Sequence, residues 1–90
     1  MYYNYVLQSI KNGSFYIGFT NNLRNRLQRH NGKQILSTKR YTPWKLIYYE
    51  ACLDEKDALR REKYLKTTQG SRLLKRRLKE FLYSNRVMSQ

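Results

Sequence analysis

Tyr2-Tyr3-Asn4-Tyr5-Val6-Leu7-Gln8, then Asn12-Gly13, then Ser14-Phe15-Tyr16-Ile17-Gly18-Phe19: the opening nineteen residues decide the fold. In the first run Tyr3, Tyr5 and Leu7 alternate with Tyr2, Asn4 and Val6. A period of two in aromatic and β-branched residues reads as a strand. Asn12-Gly13 predicts a two-residue hairpin turn of the kind whose central positions both need positive φ. Residues 14–19 then return as a second strand, with Phe15, Ile17 and Phe19 against Ser14, Tyr16 and Gly18. Pairing Lys11 with Ser14 across the turn puts Tyr5 and Tyr16 on one face.

Working outward, Thr20, Asn21 or Asn22 can cap a helix running to about Asn31, with Gly32 as its stop. Residues 33–42 are polar and irregular. Trp44 to Ala51 reads as a third strand, apolar enough on both faces to be expected at the centre of a sheet. Asp54 caps a second helix to about Thr67, where Glu55 and Asp57 suit the positive end of the dipole. Gly70-Ser71 opens a third helix with Leu74, Leu78, Phe81 and Leu82 in one stripe. A single domain is expected over residues 1–84, with a flexible tail at 85–90. The order β-β-α-β-α-α predicts an α+β fold, a small three-stranded sheet flanked by helices.

Ninety residues bury only about 60% of the surface of the unfolded chain, which leaves room for one modest core. Hydrophobic residues make up 40%, too many for a disordered tail. Lys and Arg number 19 against 6 Asp and Glu, a net charge of +13. That excess repels itself and points to a polyanionic partner, nucleic acid first and an anionic membrane surface second. The longest apolar run, Leu46 to Tyr49, is too short to span a bilayer, and the N-terminus lacks a signal-peptide pattern. Cys52 stands alone, which excludes a disulfide framework and a Cys-rich zinc site. A soluble, cytoplasmic protein is expected.

Helical wheels single out three side chains. On the first helix Leu23 and Leu27 define the apolar stripe, His30 falls almost between them, and Arg26 lies at its border. An edge arginine with a satisfied histidine explains this as well as a site does. On the second helix Ala58, Leu59 and Leu65 form the inward stripe with Glu62 in its middle. An inward carboxylate must be paired, protonated or metal-bound, so an ion pair with Arg26 or a lysine stands beside a metal-ligand reading. Between Arg60 and Lys79 there are nine basic residues and one acid, Glu62. This is either a solvated face or a phosphate-tracking surface without sequence readout. The nine tyrosines would suit base stacking on RNA, although most lie in strands where core packing explains them. There is no Gly-rich phosphate loop, Cys/His dyad or nucleophile elbow.

Collected together, Tyr5, Tyr16-Ile17-Gly18, Arg26, His30 and Glu62 resemble the GIY-YIG nuclease family. The resemblance runs over roughly residues 2–80. Lys39-Arg40-Tyr41-Thr42-Pro43-Trp44 and Glu62-Lys63-Tyr64-Leu65-Lys66 are similar to its small, single-domain bacterial branch. Two positions depart from the pattern: Tyr3-Asn4-Tyr5 replaces Gly-Ile-Tyr, and Leu74 stands where many members carry Asn. The resemblance implies a divalent-metal-dependent endonuclease hydrolysing DNA phosphodiester bonds, in repair or recombination. It makes Tyr5 the general base, as a phenolate favoured by Arg26 and the metal, with Tyr16 or His30 passing the proton on. Arg26 would bind the phosphate, Glu62 would hold one Mg²⁺ or Mn²⁺, and Gly18 would let backbone and phosphate approach. Lys39, Arg40, Lys66, Arg72, Lys75, Arg76, Arg77 and Lys79 are the expected phosphate contacts. The expected partner is DNA, with RNA compatible with the same charge, no membrane, and a partner protein as a source of specificity. The alternative is a non-catalytic nucleic-acid-binding module on the same fold.

Overall fold

The computed structural model describes the backbone of residues 1–88 and side chains through residue 84. Strand β1 is Tyr2–Ser9 and β2 is Phe15–Thr20, followed by helix α1 at Leu23–Asn31 and a 3-10 turn at Lys39–Tyr41. Strand β3 is Trp44–Cys52, and helices α2 (Glu55–Leu65), α3 (Thr68–Arg77) and α4 (Lys79–Met88) complete the chain. The fold is α+β, a three-stranded antiparallel sheet with helices on both faces. The single third helix expected from Gly70 starts earlier, at Thr68, and is divided at Leu78. Leu78 remains buried at the joint and so keeps its place in the expected stripe. Of the expected tail, the stretch to Met88 belongs to α4, and residues 89–90 lie outside the described residues.

The hairpin closes differently from the two-residue turn. Ser9 N–H donates to Ser14 O and Gly13 N–H to Ser9 O, so four residues make the connection. Only Gly13, at φ 79°, takes a left-handed conformation there, and Asn12 instead accepts from the Ser14 amide through its side chain. The register moves by two residues, and Tyr5 lies opposite Gly18 with Leu7 opposite Tyr16. A shift of two preserves the faces, so Tyr5 and Tyr16 still share one.

The sheet order is β2-β1-β3, so β3 sits at an edge and β1 holds the centre. The expectation for β3 failed because helices cover both faces even at the edge. Apolar character on both sides of a strand therefore does not require a strand neighbour on both sides. Cross-strand pairs assign the faces. On one, Tyr5, Leu7 and Trp44 form a cluster with Tyr16, Leu46 and the α1 residues Leu23 and Leu27. On the other, Val6 packs with Leu65 of α2 and Leu74 of α3, flanked by Ile17 and Tyr48. Leu65 and Leu74 are almost wholly enclosed, and each such burial contributes about 1.5–3 kcal/mol. The departure at Leu74 is thus a core residue that ties α3 to the sheet.

Candidate active site on the first-helix face of the sheet

Helix α1 begins where the Asn22 side chain accepts the Asn25 amide, and Gly32 ends it as expected. The cap fixes the rotation of the helix, so Leu23 and Leu27 meet the sheet and His30 enters between α1 and the strands. His30 is 0% exposed and Tyr5 is 1% exposed. The Tyr5 hydroxyl lies 2.8 Å from His30 Nε2, and His30 Nδ1 lies 2.7 Å from Thr38 Oγ1. The Thr38 hydroxyl donates in turn to Ile35 O at 3.4 Å. Thr38 has one proton to give, so it accepts from His30 Nδ1–H, which leaves Nε2 to accept from the Tyr5 hydroxyl. The Arg26 charge lies within reach of the Tyr5 oxygen and acts on it from the other side. Donation therefore runs Tyr5 to His30 to Thr38 in one direction, an arrangement in which each bond polarises the next.

Burial pushes the Tyr5 phenol far above its ordinary range, with Tyr16 and Glu62 adding to the rise and Arg26 opposing it. Tyr5 is therefore a neutral donor at rest. Without a metal the buried phenol is favoured over the expected phenolate, because a positive surface does not compensate for the loss of water around a buried oxygen. Burial, with Arg26 and then Arg29, lowers His30 to about 4, so the imidazole is neutral at physiological pH. Because the folded value lies below the ordinary 6.5, the unfolded chain binds a proton that the folded chain does not. This contribution is complete above about pH 6.5, declines as pH falls towards 4 and levels off below, for a total on the order of 3 kcal/mol. His30 is the one histidine in the chain, so its proton NMR titration is unambiguous. It should titrate near 4, and urea midpoints should fall over the same window.

Tyr16 is half-buried, with its ring centroid 5.1 Å from that of His30 and 6.3 Å from that of Tyr5. Gly18 serves this cluster. A Cβ at that position would collide with the ring and hydroxyl of Tyr5, so only glycine lets the phenol lie across β2. Two residues of the framework were missed. Thr38 is fully buried and sets the His30 tautomer, and its carbonyl accepts Trp44 Nε1–H at 2.9 Å. Asn31 brackets the Trp44 backbone, accepting its N–H at 2.6 Å and donating to its carbonyl at 3.0 Å. The irregular stretch after α1 is thereby fastened to the start of β3. Asn31, at the end of a helix predicted to stop there, offered a signal; Thr38 offered none.

Glu62 comes from α2, in the opposite helical layer. Asp54 caps that helix by accepting the Lys56 and Asp57 amides. Ala58 and Leu65 are fully buried, and Glu62, one turn from each, is 20% exposed. Leu59 is 39% exposed and does not belong to the inward stripe, which lies nearer Glu62 than the wheel placed it. The Glu62 carboxylate pairs with Lys66 at 3.4 Å, and its charge reaches Tyr5. Tyr5, Tyr16, Arg26, His30 and Glu62 are thus brought into one electrostatic neighbourhood. Among the described residues no three of His, Cys, Asp or Glu converge. Glu62 alone does not make a closed metal cage. It fits an ion held by one carboxylate, water and substrate phosphate, as Mg²⁺ commonly is.

The basic residues do not converge on this cluster as a group. Lys39 and Arg40 are exposed on the 3-10 turn that leads into β3. Lys66 flanks Glu62. Arg72, Lys75, Arg76 and Arg77 are exposed on α3, and Lys79 starts α4; α3 belongs to the layer covering the Val6 face. No helix is long and apolar enough to cross a membrane among the described residues.

The profile of the GIY-YIG catalytic domain matches residues 1–79. A UPF0213 protein of Limosilactobacillus reuteri is 44% identical over 68 residues, covering 72% of this chain and 70% of that protein. One of Staphylococcus haemolyticus is 36% identical over 75 residues, covering 82% of this chain and 90% of that protein. A UPF0213 protein from Bacillus halodurans, solved in solution by NMR, superposes with a TM-score of 0.50 at 29% identity, covering 82% of each chain.

Proposed function

We propose, from the premise that this chain belongs to the GIY-YIG catalytic domain family, that it is a divalent-metal-dependent endonuclease hydrolysing phosphodiester bonds of DNA. The observation that carries this reading is the buried Tyr5–His30–Thr38 hydrogen-bond line facing Arg26, with the Glu62 carboxylate in electrostatic reach. A purely structural cluster has no need of a carboxylate from the opposite layer within electrostatic reach of a buried phenol.

Phosphodiester hydrolysis needs a water relieved of its proton, a phosphate whose extra charge is met, and a leaving oxygen that is stabilised. Of the two phenols Tyr16 is the more open, and we assign it the contact with the attacking water. Tyr5 is enclosed and its proton is committed to His30, so it orients the cluster from behind. Arg26 presents a planar fork of donors suited to non-bridging phosphate oxygens. Glu62 would hold Mg²⁺ or Mn²⁺, which when bound neutralises developing charge on the phosphate and leaving oxygen. DNA repair or recombination is the setting such an activity suits.

Two conservative substitutions test the assignment. Tyr16→Phe should keep the folded stability and lower cleavage by about 10²-fold or more, the usual range for a group that moves a proton. Tyr5→Phe should instead cost about 1–3 kcal/mol of stability, because it leaves His30 Nε2 buried without a donor, and should affect cleavage less. Cleavage rates on supercoiled DNA and urea midpoints, taken on the same preparations, read both effects. The reverse pattern would return water activation to Tyr5.

A further inference from the structure

Tyr48 and Glu50 alternate along β3 and lie opposite Val6 and Asn4, so they face away from Tyr5. With Arg61 of α2 and Leu73, Arg76 and Arg77 of α3 they line a cleft of about 610 Å³. Its side chains are joined in a line. Arg77 Nε–H donates to the Tyr48 hydroxyl at 3.1 Å, and that hydroxyl donates to Glu50 Oε2 at 3.1 Å. Arg61 forks onto both Glu50 oxygens at 2.8 and 2.9 Å. The single carboxylate is thus engaged by Arg61 and Tyr48, and three guanidiniums remain against it. Arg76 has no hydrogen-bond or ion-pair partner among the described residues.

Arg61 and Arg77, held to the strand by the hydrogen-bonded Glu50 and Tyr48, have little conformational freedom left to lose on meeting an anion. Arg77 and Arg61 also lie against the Tyr48 and Tyr64 rings, at 5.9 and 5.3 Å from the centroids. We propose that this cleft binds the phosphodiester backbone of nucleic acid on the face of the sheet opposite the Tyr5–His30 cluster, giving the chain a second contact with its substrate away from the cutting site. The proposal rests on nucleic acid being the partner and is independent of whether the other face cuts. It assigns Glu50 and Tyr48 as the groups that orient Arg61 and Arg77 for phosphate.

The test is a fluorescence-anisotropy titration of a short DNA duplex with the full chain in EDTA, where cleavage plays no part, over a salt series. Arg76→Ala with Arg77→Ala removes two charges from the cleft at exposed positions that do not threaten the fold. Lys56→Ala with Lys63→Ala removes two exposed charges from α2 outside it. The cleft variant should lose about 0.9 of salt slope per phosphate contact, which is about 3.5-fold in affinity between 50 and 200 mM salt. The control should retain its slope. The Arg61 and Arg77 Nε–H signals should shift when duplex is added. Equal losses in both variants would overturn the proposal, because they would reflect net charge alone. Signals that respond to inorganic phosphate but not to duplex would overturn it too, marking a small-anion site.

Discussion

Arg26→Ala is expected to slow DNA cleavage by about 10²- to 10³-fold, the usual loss when one donor aimed at developing phosphate charge is removed. Arg26 is half-buried at the border of the α1 stripe and has no carboxylate ion-pair partner among the described residues. Its guanidinium therefore serves the Tyr5 oxygen and whatever anion enters beside it. Stability should change by no more than about 1 kcal/mol, the size of one ordinary hydrogen bond. A second readout separates this role from simple packing. After burial, the Arg26 charge is the next cause holding His30 down, so the substitution should move the His30 titration up from about 4. A slow enzyme whose histidine still titrates near 4 would mean that Arg26 acts elsewhere.

Glu62→Ala is expected to remove metal-dependent cleavage while leaving DNA affinity intact or slightly raised, since one negative charge leaves a basic surface. The fold should survive. The Glu62–Lys66 pair is a partly exposed i, i+4 contact worth a few tenths of a kcal/mol, and Ala58 and Leu65 continue to anchor α2. Glu62→Gln keeps the shape and the hydrogen-bonding capacity and should behave in the same way, because a neutral amide is a poor ligand for a hard cation. If Glu62→Gln cut normally, charge at this position would not be what the chemistry uses.

Much of this architecture was legible because the signals were local. Asn22 and Asp54 cap the helices they were read to cap or could cap, and the wheel that turned His30 inward needed only the spacing of Leu23 and Leu27. The family read from the sequence is the one whose profile matches residues 1–79. What escaped was set by tertiary context. The edge position of β3 follows from what covers the sheet, and that is invisible in the strand itself. Leu59 and Glu62 lie close in angle on the wheel, and only the packed helix shows which turns outward. Thr38 gains its role from a loop that folds back under α1, with no periodicity to announce it. Asn4, at the altered first motif, is 2% exposed, its Oδ1 has no hydrogen-bond partner among the described residues, and it faces the Glu50–Arg61 side. The spacing of Tyr48 and Glu50 on β3 did carry a readable period of two, and it marks the second cleft.

The most direct test of the central claim is cleavage of supercoiled, single-stranded and branched DNA by the purified chain in Mg²⁺, Mn²⁺ and EDTA, with Glu62→Ala purified and assayed in parallel. Cutting that requires a divalent ion and disappears in the variant, while both proteins bind DNA equally, is the predicted result. Cutting by Glu62→Ala at the wild-type rate, or binding without cutting on every substrate by the wild-type chain, would contradict it.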